Sequence, residues 1–339
     1  MIEDLEDLEE VLSRPTPSVA EALSRATGDI LVLGVGGKMG PSLARLARRA
    51  ADAAGGPRRI TGVSRFSQPG LQERLESWGI KTHSLDLFDP GALEGLPDAE
   101  NVVFMVARKF GSTGSEPATW ATNSFLPGAL MQRFPRSRIL TFSTGNVYPL
   151  TRVDSGGPRE DHAPGPIGEY AQSCLARERV FEHFSRRNRT PVSLIRLNYA
   201  IDLRYGVLVD VGRKVLRGEP IDLSMGHVNV IWQGDACAQA LSSLPLSDSP
   251  PFVLNVTGPE VVSIRSLAER LGKRLGREPL FEGKEEELSL LSNASLAREL
   301  FGPPRVGLEE MIAWTADWLR RGGETYGKPT RYEVRDGRF

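Results

Sequence analysis

Ile30-Leu31-Val32-Leu33-Gly34-Val35-Gly36-Gly37-Lys38-Met39-Gly40-Pro41 runs from an apolar tetrad into a cluster of glycines. Four apolar residues ended by glycines read as a short strand. From Pro41 to Ala54, the residues Leu43, Leu46, Ala47 and Ala50 mark the apolar face of a helix. A glycine-rich turn between a strand and a helix is the setting that binds dinucleotides. The first glycine permits the tight turn, the second lets backbone approach a pyrophosphate, and the third packs helix against strand. The helix N-terminus adds free N–H groups and partial positive charge. Gly34, Gly36, Gly37, Lys38, Met39 and Gly40 are therefore the expected phosphate cradle.

Outward from the turn, strand patterns recur at 59–63, 81–87, 101–106, 138–143 and 192–197, with helical stretches between most of them, including 71–78. That alternation predicts an α/β fold: a doubly wound parallel (Rossmann) sheet covered on both faces. The second strand ends Val63-Ser64-Arg65. NAD binders commonly place an acid there for the adenosine ribose. Ser64 followed by Arg65 instead suits a 2′-phosphate, so NADP is favoured, with NAD the alternative. Asp86 and Leu87 end the third strand pattern, where Asp86 either meets the adenine or caps the next segment. Ala107 follows the fourth strand, and Ser143 closes the fifth.

After Asn198 the alternation weakens. Helices are expected at 207–216, 263–275 and 308–320, and strands at 228–232 and 252–256. The expected organisation is a helical extension over 1–29, whose arm packs on the main domain or on a second subunit, and a dinucleotide-binding domain over 30–200 with returning segments near 228–258. A smaller mixed α/β substrate domain follows from 201–227 and 259–321. Residues 322–339 are expected as a polar tail extended over the surface.

Two further clusters carry chemistry: Phe142-Ser143-Thr144-Gly145-Asn146-Val147-Tyr148, and Pro166-Ile167-Gly168-Glu169-Tyr170-Ala171-Gln172-Ser173-Cys174. With the glycine turn they resemble the extended short-chain dehydrogenase/reductase family of NAD(P)-dependent sugar epimerases and dehydratases, over about 30–320. Arg196-Leu197-Asn198 resembles that family's Arg-x-x-Asn run but is one residue short, and Asp235 resembles the second acid of its Val-Asp-Asp segment. The resemblance implies that Thr144 hydrogen-bonds the reacting oxygen and that Tyr170 exchanges its proton. The lysine of Tyr-x-x-x-Lys, which holds the nicotinamide ribose, is replaced by Cys174.

A phenol titrates near ~10 and needs a nearby cation to reach neutrality. Without the lysine, Tyr170 is expected to stay protonated and to donate rather than accept, which favours carbonyl reduction over alcohol oxidation. Arg108 and Lys109 are read as a solvated loop rather than as a replacement cation, and Cys174 as a small inert core residue. The family's diphosphate-binding arginine, seven residues before the acid, corresponds to Val228 here, beside His227. A smaller sugar, sugar acid or other hydroxy-carbonyl compound is thus at least as suitable as a nucleotide sugar, with Thr144, Asn146, Asn198 and His227 as substrate contacts.

The expected function is an NAD(P)-dependent oxidoreductase or epimerase acting on a carbohydrate-like compound. The alternatives are a non-catalytic dinucleotide sensor, favoured by the missing lysine, and a dehydratase or lyase, disfavoured because Gly145-Asn146 lacks an acidic pair. Relatives imply a homodimer formed through the tyrosine-bearing helix and its neighbour.

Composition agrees with a small-molecule partner. A formal net charge of -1 gives no electrostatic reason for nucleic acid or an anionic membrane. Cys174 and Cys237 form no disulfide framework, and His83, His162, His183 and His227 show no metal-ligand spacing, so no metal is expected. The acidic start is unlike a signal peptide and no run approaches the ~20 apolar residues of a spanning helix, so a cytoplasmic location is expected.

Overall fold

The apolar run 30–33 forms β1 (Ile30–Leu33), all four residues buried, in a computed structural model that describes residues 2–55 and 57–339. Six further strands join it: β2 (Ile60–Ser64), β3 (Lys81–Ser84), β4 (Asn101–Phe104), β5 (Arg138–Thr144), β6 (Val192–Leu197) and β7 (Phe252–Val256). Their order is β7-β6-β5-β4-β1-β2-β3, with every pairing parallel. Parallel neighbours need crossovers, and the helices that supply them cover both faces. The order reverses between β1 and β4, where a crevice opens beyond the C-terminal strand ends.

Two helices precede the sheet, α1 (Leu5–Leu12) and α2 (Pro17–Arg25). Asp4 caps α1 through the Asp7 amide, and Thr16 caps α2 through Val19, with Pro17 at the first position. α3 (Gly40–Ala54) and α4 (Leu71–Ser77) follow β1 and β2. α5 (Glu116–Trp120) runs through a π-helical turn at Ala121–Phe125 into α6 (Leu126–Arg133). The long α7 (Gly168–Asn188) carries Tyr170.

The rest of the chain adds α8 (Val207–Arg217), α9 (Gln233–Ser242), α10 (Ile264–Leu275), α11 (Ser295–Phe301) and α12 (Leu308–Arg320). Three buried side-chain clusters matter most. One joins β1, α3 and α9 with Val19 and Leu23 of α2. A second joins α8, α10 and α12 with Leu8 and Leu12 of α1. A third fills the opposite face of the sheet around Leu31, Phe104, Leu130 and Phe181. Each fully buried Leu or Phe contributes about 1.5–3 kcal/mol of transfer free energy, so the arm is part of the core.

Three sequence expectations are corrected. β3 ends at Ser84, the Leu85 amide makes the last ladder bond to the Ser64 carbonyl, and Asp86 and Leu87 beyond it line the crevice. The pattern at 228–232 splits into two short strands. His227–Val228 runs antiparallel to Val262–Ser263, and Ile231–Trp232 runs parallel to Ala200–Ile201. The polar tail is not laid loosely over the surface: Thr330, Tyr332 and Phe339 are buried. No helix among the described residues is long and apolar enough to cross a membrane.

Candidate active site

The glycine turn lies at the reversal of strand order. Gly34 has φ +88°, a conformation that suits glycine, and the Gly34 and Val35 amides both reach the Val63 carbonyl. Gly40 lies so close to the turn that an added Cβ would stand 2.6 Å from the Val35 carbonyl carbon. Among the described residues the Lys38 and Met39 amides have no protein acceptor. Free amides at the start of α3, with a backbone that admits no side chain, fit a pyrophosphate.

Two cavities meet at this turn, sharing Gly34, Gly37, Met105 and Ala107. One, of about 590 Å³, is lined by Gly36, Ser64, Arg65, Asp86 and Leu87. The other, of about 400 Å³, is lined by Lys38, Met39, Gly40, Ser143, Thr144, Asn146, Tyr170 and Asn198. All the sequence-selected residues but two thus fall along one continuous groove. Cys174 is buried beside Tyr170 without lining either cavity. His227 lines neither, because its two-residue strand pairs with Ser263 in the other half of the molecule.

In the first cavity, Arg65 pairs loosely with Asp86 at 3.6 Å, with its side chain 74% exposed. The Asp86 carboxylate also accepts from the Phe88 amide at 3.0 Å, so it shapes the local turn as well as facing the groove.

In the second, Thr144 ends β5 in register with Leu197, which sets its hydroxyl beside the start of α7. Thr144 donates to Asn146 Oδ1 at 3.0 Å. Tyr170 is 7% exposed. Burial first, then the neighbouring Cys174, pushes its phenol well above the usual value, against a hydrogen bond shared with Thr144 and the charge of Arg177. The phenol is therefore neutral at pH 7 and able to donate a hydrogen bond. Burial also raises the Cys174 thiol, which stays protonated and unreactive.

Lys109 overturns its reading as a solvated loop residue. It is half-buried at the cavity wall, its ammonium 4.3 Å from the Phe339 ring centre and 5.8 Å from that of Tyr170. Burial lowers its pKa to about 8. Lys38 lies 3.3 Å from the Tyr205 ring centre, and burial together with the charge of Lys109 lowers it to about 7. Aromatic faces hold both ammonium groups, and among the described residues neither has a carboxylate within ion-pair distance.

Arg177, one turn below Cys174 on α7 and 1% exposed, carries no sequence signal of its importance. It donates to the carbonyls of Asn123 at 3.2 Å, Phe142 at 2.7 Å and Val106 at 2.9 Å, and to Asn123 Oδ1 at 2.8 Å. The π-helical turn brings Asn123 there, and Asn123 also bonds Ser173 and both backbone groups of Arg108. One cation thus ties β4, β5 and α7 together under Tyr170. Changing Arg177 to Met should cost about 3 kcal/mol, since it strands several buried acceptors. A drop in the urea midpoint checks this, and an unchanged midpoint would refute it.

Behind Ser143, Glu178 accepts from its hydroxyl at 2.6 Å and pairs with Arg196 at 2.8 Å. Arg196 also donates to Tyr148 Oη, which donates to Asn255. Arg196, part of the shortened Arg-Leu-Asn run, is therefore a core strut, while the other two residues of that run, Leu197 and Asn198, line the cavity. Among the described residues no group of three or more His, Cys, Asp or Glu side chains could hold a metal ion.

The fold is that of the doubly wound, Rossmann-type α/β proteins whose crevice lies at the strand reversal. Among solved structures it is similar to UDP-glucuronic acid 4-epimerase from Bacillus cereus, crystallised with NAD, at TM-score 0.73 and 19% identity over 86% of this chain and 99% of that one. It is also similar to UDP-glucose 4-epimerase from Thermotoga maritima, at TM-score 0.71 and 19% identity over 87% and 99%. For dTDP-glucose 4,6-dehydratase from Bacillus anthracis, crystallised with NAD, the values are 0.72 and 16% over 86% and 96%. No protein-family model matches the sequence, and no curated protein matches it.

Proposed function

We propose that this chain is an NAD(P)-dependent epimerase-like oxidoreductase acting on a carbohydrate-like carbonyl or hydroxy compound. The observation that carries this is the shared cavity: Thr144 and Tyr170 face the same space as the glycine turn. The similar UDP-sugar epimerases, one of them crystallised with NAD and the other with UDP-glucose, support it. A bound nicotinamide supplies hydride transfer. The chain's own residues do the rest. Gly34, Gly37, Lys38 and Met39 cradle the pyrophosphate, and Ser64 and Arg65 face the adenosine end. Thr144 orients the substrate oxygen, Tyr170 delivers a proton to it, and Asn146 and Asn198 border the substrate.

Tyr170 is protonated throughout the physiological range, so reduction is the favoured direction. Lys109 takes the place of the lysine absent at Cys174 as the cation beside the phenol. It is charged below about 8 and loses its charge as pH rises through that value. At saturating cofactor, where the separate titration of Lys38 near 7 no longer limits binding, the rate of carbonyl reduction should accordingly fall about tenfold per unit above about 8. Lys109→Met should remove that alkaline limb.

Arg65 favours NADP. Arg65→Ala should weaken NADPH about tenfold or more, while leaving NADH within about twofold. Equal losses for both cofactors would leave NAD as the partner. A homodimer through α6 and α7 is part of the same reading, supported by Phe125 standing 68% exposed between α5 and α6.

The deciding experiment incubates the purified chain with NADPH or NADH and a panel of ketose and uronate substrates, following absorbance of the reduced cofactor. Turnover supports the enzyme. Tight cofactor binding without turnover of any substrate would favour a dinucleotide sensor instead.

A further inference from the structure

We infer that residues 322–339 form a strap that completes the reaction pocket, with Phe339 a positioning residue that holds the Tyr170 ring and the Lys109 ammonium side by side. The inference rests on the reading of Tyr170 as the proton donor, and it concerns a segment whose composition suggests only a solvated tail.

The strap is tied down along its length. The Tyr326 amide donates to the Arg204 carbonyl at 3.0 Å. The Thr330 amide and hydroxyl both donate to Asp210 Oδ2 at 2.6 Å, and Thr330 lines the cavity. Tyr332 is buried in the cluster of α8, α10 and α12. Arg335 donates to the carbonyls of Ser224 at 2.6 Å and Leu288 at 2.8 Å. Gly337 then passes against the first residue of α7: a Cβ on Gly168 would lie 2.8 Å from Gly337 Cα, and both glycines have positive φ. That approach admits no side chain on either strand of the crossing.

The crossing delivers Phe339 to the site. Its ring is 4% exposed and meets Tyr170 edge to face, with centres 5.6 Å apart and planes at 81°. It joins Val147, Tyr148 and Cys174 in one buried cluster. The other face of its chemistry is Lys109, whose ammonium stands over the ring at 4.3 Å. The Phe339 carbonyl accepts from the Thr113 amide and the Ser112 hydroxyl, both at 3.3 Å, and so steadies the loop that carries Lys109. A cysteine at position 174 is too short to bring a cation to Tyr170. Phe339 holds one from another element, using its π face for the cation and its packing for the phenol.

The test uses the full chain with lysines reductively methylated in ¹³C and Lys109 assigned through Lys109→Arg. In the unaltered protein Lys109 should titrate at about 8. In Phe339→Ala it should rise by about one unit toward the solvated value, because the burial that depresses it is lifted. Phe339→Tyr, which keeps the ring, should restore the lower value. Amide exchange over 108–114 and 168–174 should quicken roughly tenfold in Phe339→Ala and not in Phe339→Tyr. If Phe339→Ala does not fold, Phe339→Leu serves: it keeps the site filled but removes the π face that favours the ammonium, so Lys109 should then titrate lower than in the unaltered protein rather than higher. An unmoved Lys109 titration in a folded variant, or unchanged exchange, overturns the inference. These readouts need no cofactor. Failure of the unaltered chain to bind NADPH or NADH would sink the proposed function while leaving the strap standing.

Discussion

Gly40→Ala should all but abolish dinucleotide binding, weakening NADPH about a hundredfold or more. The added Cβ would be driven into the Val35 backbone, with the carbonyl carbon 2.6 Å away. Backbone cannot swing aside as a side chain does, so α3 must move off the turn as a rigid rod. That displaces the free Lys38 and Met39 amides from any phosphate between them. Relieving the clash should also cost about 2–3 kcal/mol of stability, the upper part of the range for overpacking. Fluorescence titration with NADPH and a thermal melt check both effects. Native affinity and an unshifted melt would show that the turn is not the close-packed cradle described here.

The second large effect concerns chemistry rather than binding. Tyr170→Phe should lower the rate of carbonyl reduction by about 10²–10⁴-fold, the usual worth of a positioned proton donor, or about 3–5 kcal/mol of barrier. The dinucleotide should bind within about twofold of its original affinity, because the pyrophosphate cradle is built from Gly34, Gly37 and the start of α3 and not from Tyr170. The substitution removes one hydroxyl and keeps the ring that packs on Phe339. The pH profile adds a second signature. Tyr170 titrates well above 10, so it contributes no limb near neutrality. The limb near 8 belongs to Lys109 and should persist in whatever slow reaction remains. Intact turnover in Tyr170→Phe would remove this residue from the mechanism.

The parts of the site legible in the sequence are those written locally. The glycine turn declares itself because Gly34 and Gly40 answer to backbone demands within a few residues. Thr144 and Tyr170 each sit at an element end, and short local motifs that resemble a known family's pick them out. What stayed hidden depends on convergence of distant segments. Arg177 gathers acceptors from three elements, and nothing about an arginine on an amphipathic helix announces that. Lys109 looks solvated until Phe339, 230 positions further on, is folded over it. The strap misleads because its anchors, Thr330, Tyr332 and Phe339, follow no helical or strand period amid glycines and charges. His227 erred the other way, nominated by its place beside Val228 and then carried off by a short antiparallel pairing.

α1 carries a consequence of its own. Glu9, in the buried face of that helix, meets Arg204 at 2.6 Å and the Ser42 hydroxyl at 3.1 Å, while Asp202 pairs with the same arginine. Ser42 lies on α3, packed on the sheet, and Arg204 in the segment that leads into α8, so one carboxylate splints the two. Rigid hinge opening between them would have to tear a buried ionic knot. Cofactor and substrate should therefore exchange by local yielding at the groove mouth, and the two halves should melt together as one cooperative unit.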